Sequence, residues 1–181
     1  RSHTLFNIIS VILLIPLNKF IIKLAVTLVP DKSSDVEDDE VKIVKYIDER
    51  MIETPSIALA NTVKEALRMG EKSKESLNLA MESILNDNKG NIDKSLKIEN
   101  EINILQKTIL NYLLKLSKAP LNEESREVVD ALFNTVNDVE RIGDHAENIA
   151  ELSEAAINYE VEFSIQGKDE LNDMYNKVIS T

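Results

Sequence analysis

Residues 98–116 read IENEINILQKTILNYLLKL, and Ile98, Ile102, Leu105, Ile109, Tyr112, Leu113 and Leu116 recur at steps of three and four. That spacing places them on one face of a 3.6-residue helix. The spacing predicts a helix from about Asn91 to Ser117, stopped by Pro120, whose ring disfavours helical backbone in the residue before it. Upstream, Thr54-Pro55 reads as an N-cap followed by proline at the first helical position. The helix it opens is expected to run to about Leu85, with Leu59, Val63, Ala66, Leu67, Leu77, Met81 and Ile84 as core candidates. The tetrapeptide Asp87-Asn-Lys-Gly90 is expected to end it as a turn. A calcium loop is a poor reading of those residues, because Lys89 fills the third position and no closing Glu follows in register. Downstream, Asn122 is placed to cap a third helix reaching about Tyr159, with Glu123 and Glu124 against the positive end of its dipole. Short connections between long helices force antiparallel neighbours. The expected fold is therefore all-α, an up-down-up three-helix bundle over 57–181. A further helix, starting at about Asp169 and cut off at Thr181, would open a second repeat.

Composition agrees with helices and removes several functions. Four glycines, four prolines and 4% aromatic residues in 181 positions disfavour an all-β fold. The absence of cysteine rules out disulfides and thiolate-bound zinc or iron–sulfur groups. A net charge of −11 repels phosphate backbones, so no nucleic-acid partner is expected.

The charge is unevenly spread. Residues 1–30 hold Arg1, Lys19 and Lys23 and no acid, so the remainder carries a net −14 against −11 for the whole chain. Residues 5–29, LFNIISVILLIPLNKFIIKLAVTLV, are long and apolar enough as a helix for a bilayer core of roughly 30 Å. Pro16 would kink such a helix, and Lys19 and Lys23 would snorkel to one interface. The stretch is too long for a signal peptide, and no small-residue cleavage site follows it. Residues 1–30 are expected to be the last transmembrane segment of a partial membrane domain. With Lys19, Lys23 and Lys32 toward its end, residues 31–181 are expected in the cytoplasm. A chain opening on Arg1 is expected of a piece of something longer. Residues 31–56 read as an acidic linker, since DKSSDVEDDE cannot bury enough to fold alone, and 41–47 alternates enough to suggest a short extended segment.

The third helix carries the chemistry. Its sequence over 137–157 is NDVERIGDHAENIAELSEAAI. On a helical wheel Glu140, Asp144, Glu147, Asn148 and Glu151 fall within an arc of about 100°, roughly opposite Val139, Ile142, Ala146, Ile149, Ala150 and Ile157. Oxygen ligands one turn apart can reach a single hard cation or bracket two. Gly143, which costs about 1 kcal/mol against Ala in a helix, suggests close approach by another backbone or by bound ions. On spacing alone, a solvated acidic face and a metal-binding face both remain open. His145 lies beside the stripe, and a lone helical histidine is more often surface than ligand.

The segment 140–151, ERIGDHAENIAE, resembles the signature of the PhoU family of phosphate-transport regulators. These are helical proteins of two three-helix repeats, each with an acidic Glu/Asp-x-x-x-Asp motif associated with metal clusters. The resemblance implies metal ligation at Glu140, Asp144 and Asn148 by a divalent or iron-type ion. The stretch 98–105, IENEINIL, resembles the family's second-helix pattern, and Phe163-Ser164 followed by DELNDMY over 169–175 resembles the opening of its second repeat. Further upstream, HTLFN over 3–7, YIDERMIETPSIAL over 46–59 and LRMG over 67–70 resemble bacterial Na/Pi cotransporters, which carry a PhoU-like domain after their membrane repeats. That resemblance implies a non-enzymatic regulatory tail on a sodium-dependent phosphate symporter, with sodium and phosphate bound in the absent membrane repeats and a homodimer as a further partner state. Three rivals stand beside it. A carboxylate-bridged metal enzyme would want Glu-x-x-His pairs from two helices, and the sequence has His145 without Glu at 142. The others are a dimerisation bundle with a solvated acidic stripe and a soluble PhoU-type regulator.

Overall fold

The computed structural model describes residues 43–180, and among them it holds helices and turns and no strand. Four α-helices follow one short 3-10 turn at Glu49–Glu53: α1 Pro55–Asn86, α2 Lys89–Leu116, α3 Glu123–Asn158 and α4 Ile165–Ile179. The first three pack on one another pairwise as an antiparallel bundle, whereas the backbone of α4 comes close to that of α1 alone among these helices.

Local chemistry sets most boundaries. Pro55 starts α1 as expected, although the Thr54 side chain makes no capping bond. Asp87 takes the left-handed conformation at φ 53° and closes α1 through its amide to the Ser83 carbonyl. Asn88 Oδ1 then accepts from the Gly90 amide at 3.1 Å and opens α2. The turn expected over 87–90 is thus only Asp87 and Asn88, and Gly90 is already helical. Asn122 Oδ1 caps α3 through the Ser125 amide at 2.8 Å, with Glu123 and Glu124 in the first turn as expected. Ser164 Oγ accepts from the Gly167 amide at 3.1 Å, so α4 begins at Ile165, ahead of the expected Asp169.

The transmembrane segment expected over 1–30 lies outside the described residues. Among the described residues no helix is long and apolar enough to cross a membrane. Only residues 43–47 of the extended segment expected over 41–47 are described. They form no strand, because the Lys45 and Tyr46 amides bind the Glu65 carboxylate and not a neighbouring chain.

The core has two parts. In one, Ala58, Leu59, Ala66 and Met69 of α1 meet Ile102, Leu105, Ile109, Tyr112, Leu113 and Leu116 of α2, with Val129, Leu132 and Val136 of α3. In the other, Leu77, Ala80, Met81 and Ile84 meet Ile92, Ala146 and Ala150, and Leu171, Tyr175 and Ile179 of α4 lean against them. Leu67, expected in the core, is 66% exposed. The buried face of α1 is centred on Ala58, Thr62, Glu65, Met69, Ser73, Ser76 and Ala80, and Leu67 lies off it.

Candidate metal centre

Glu140, Asp144 and Glu147 of α3 lie at the edge of its buried stripe and not opposite it, while Glu151 is exposed. Gly143, Ala146 and Ala150 are buried, Glu140, Asp144 and Glu147 are half-buried, and Ile142, expected to pack, is exposed. The cause is α2, which covers that flank. The close approach expected at Gly143 is made by a side chain: a Cβ there would meet Ile102 Cδ1 at 3.2 Å and Cγ2 at 3.3 Å. Glycine therefore lets α2 lie close against α3 at this level.

One turn away from Ile102 on α2 stands Glu99, 6% exposed. One carboxylate oxygen each from Glu99, Asp144 and Glu147 lies within 4.8 Å of the others, close enough to share a cation. Asn103 donates a side-chain N–H to Glu99 and holds its carboxylate toward α3. Burial pushes the Glu99 carboxyl above its ordinary value, and the charges of Glu147, Asp144 and Glu140 push it the same way against the Asn103 hydrogen bond. Glu140 is raised for the same reasons, burial first and then Asp144, partly offset by Arg141.

Of the three residues named from the sequence, Asp144 is in the three-carboxylate group. Glu140 lies near enough to Glu99 and Asp144 to couple electrostatically. Asn148 is exposed, and its side-chain amide donates to the Asp144 carbonyl of its own helix at 2.8 Å. His145 is on the other side of α3, lining an apolar groove with Ile142 and Ile149. Glu99 is not among the candidate ligands named from the sequence. Its signal was available: it falls in register with Ile92, Ser95 and Ile102 on the buried face, where a carboxylate is out of place unless something pairs it.

The donor set fits a hard cation. All the donors are carboxylate oxygens with no thiolate or imidazole, which suits magnesium, manganese, calcium or iron(II) better than a soft metal. Burial first and mutual repulsion second raise Glu99 and Glu140, and a bound cation would offset both.

Residues 66–153 match the PhoU domain. The match runs from the middle of α1 to the last turns of α3 and takes in Glu99, Glu140, Asp144 and Glu147. The chain is also similar to relatives carrying the name "Putative inorganic phosphate export protein YjbB". It is 27% identical over 183 residues to those of Escherichia coli K12 and Shigella flexneri, and 23% identical over 180 residues to that of Salmonella typhimurium. Each alignment takes in 98% of this chain and 32% of the relative, so the chain spans about a third of the length of these curated relatives. No solved structure matches.

Proposed function

We propose that the bundle is a non-catalytic, cation-binding regulatory domain of a phosphate-transporting membrane protein. The observation that carries this reading is the convergence of Glu99, Asp144 and Glu147 from two helices, inside the segment that matches the PhoU domain. Glu99, Asp144 and Glu147 would hold a divalent or iron-type ion, with Glu140 at its flank. An acidic surface repels phosphate, so inorganic phosphate would engage this domain only through the bound cation. The longer protein would move inorganic phosphate, the ion in the relatives' name, with sodium as the coupling ion that the cotransporter resemblance implies. Residues 1–30 would be its last membrane span and 31–181 its cytoplasmic tail.

Calorimetric titration of the full chain with Mg²⁺, Mn²⁺, Zn²⁺ and Fe²⁺ tests the centre. At least one ion should give a saturable heat that Glu99→Gln with Asp144→Asn weakens about tenfold or more. Phosphate should then bind the loaded chain and not the metal-free one. Heats absent for all four ions, or unchanged by the double substitution, would remove the metal from the proposal. Self-association is a second part of the reading, favoured by the exposure of Ile165, Met174 and Val178 on α4. Sedimentation of the full chain at rising concentration would show a dimer or dismiss it.

A further inference from the structure

Glu65 sits on the buried face of α1, 0% exposed, well away in sequence from the α2–α3 carboxylates. A carboxylate there must be satisfied or it would destabilise the core. Its partners are not other helices. One oxygen accepts the backbone amides of Lys45 at 3.0 Å and Tyr46 at 2.6 Å, and the other pairs with the Arg68 guanidinium. Arg68 in turn donates to the Ile43 carbonyl at 2.6 Å. Three main-chain groups within four residues are thus gripped by one ion pair, its carboxylate buried and its guanidinium half-buried.

The rest of the attachment is light. Ile43, Val44, Ile47 and Ile52 rest on the bundle end, and none is fully buried. Tyr112 Oη donates to the Asp48 carbonyl at 3.0 Å, and Lys115 pairs with Glu49 at the surface. Meanwhile α1 does not need this segment in order to begin. Pro55 sets its first turn, and the Thr54 carbonyl already receives the Ile57 and Ala58 amides at 3.0 Å. A segment with half-buried side chains and one concentrated polar anchor opens at lower free energy than the helices beneath it.

We propose that residues 43–53 form a releasable strap, locked by Glu65 and Arg68, whose opening frees the polypeptide ahead of α1 from a bundle that stays folded. Residues 43–53 run directly into α1, so the lock sets whether this segment lies against the bundle end or extends from the start of α1. Metal at the α2–α3 carboxylates is not required for it.

Hydrogen–deuterium exchange on the full chain tests this directly. In the unsubstituted protein the Lys45 and Tyr46 amides should exchange about tenfold or more faster than those of Leu105 and Ile109, through an opening insensitive to low denaturant. Glu65→Ala should raise exchange across 43–53 by about another tenfold while 102–113 keeps its protection. Exchange of Lys45 and Tyr46 in step with Leu105 and Ile109 in the unsubstituted chain would make the segment integral to the core and overturn the proposal. So would Glu65→Ala leaving 43–53 unchanged, or stripping protection from the whole bundle.

Discussion

The two halves of the bundle are built from different side chains. The end near the strap is filled by large aliphatics, with Met69, Ile102, Leu105, Ile109, Leu113 and Leu116 all essentially inaccessible to water. At the opposite end Leu77, Met81, Ile84 and Ile92 pack around Ala80, Ala146 and Ala150, beside a polar seam. There Ser76 and Ser95 exchange hydroxyl and carbonyl hydrogen bonds between α1 and α2 at 2.9–3.1 Å. Small residues let backbones approach but leave less apolar surface to bury. That end is also the open one. An apolar groove of about 300 Å³ runs between α1, α3 and α4, lined by Leu77, Met81, Ile142, Ile149 and Met174 among others. Helix α4 has no buried residue and is pinned by Lys168 on the Leu85 carbonyl at 2.8 Å and by Tyr175 on Asn78. The candidate metal centre sits where the two halves meet. Ile102 belongs to the large-residue end, while Gly143 admits it on the small-residue side, and Glu99 is carried with it against α3. The closed half supplies rigidity, and the junction supplies a close helix–helix approach that brings carboxylates together.

Substitutions should separate the halves by size of effect. Leu105→Ala empties the closed half and should cost about 2–5 kcal/mol in denaturant unfolding. Equal losses at the open end, for example in Met174→Ala, would erase the distinction. Gly143→Ala acts at the junction. The new methyl crowds a fully buried Ile102, and the crowding should outweigh the gain in helix propensity, for a net loss of about 1–2 kcal/mol. If the junction positions Glu99, the same change should weaken cation binding in calorimetry more than its effect on stability would suggest.

Glu99→Gln should have a smaller effect, and its sign depends on pH. The folded carboxyl is raised above 4.5, so the native state binds more protons than the unfolded chain. This group's stabilisation is full below about pH 4.5 and is lost as pH rises through its folded value. In the metal-free chain Glu99→Gln should therefore raise Tm at pH 7, with the gain fading toward pH 4.5. In saturating cation the order should reverse, because only the carboxylate is stabilised by the ion. A Gln variant that melts lower at pH 7 without metal would contradict the buried-repulsion account. Met174→Ala, on the 60% exposed wall of the groove, should change stability by no more than about 0.5 kcal/mol.

Much of the fold could be read along the chain. The apolar spacing of α2 names its buried face almost residue by residue, and Pro55, Asn122 and the two-residue turn mark boundaries through local backbone chemistry. The α1 face was harder to read because Thr62, Glu65, Ser73, Ser76 and Ser83 are buried on it, and hydrophobicity gives such positions no weight. The same blindness drew Leu67 into the expected core and left Glu65 unremarked. At the centre, the periodicity of α3 grouped Glu140, Asp144, Glu147 and Asn148, but one helix cannot say which side of such a group another helix will cover.

The sequence by itself determined four helices, the antiparallel order of the first three and an acidic stripe on the third, because period, caps and breakers act within a few residues of one another. Only the tertiary structure decided that Glu99 joins Asp144 and Glu147 while Asn148 turns back on its own helix, and that Glu65 grips the strap. Those outcomes depend on the distance between segments far apart in the chain. That distance is set by which side chains fit at the crossing, Gly143 under Ile102 above all.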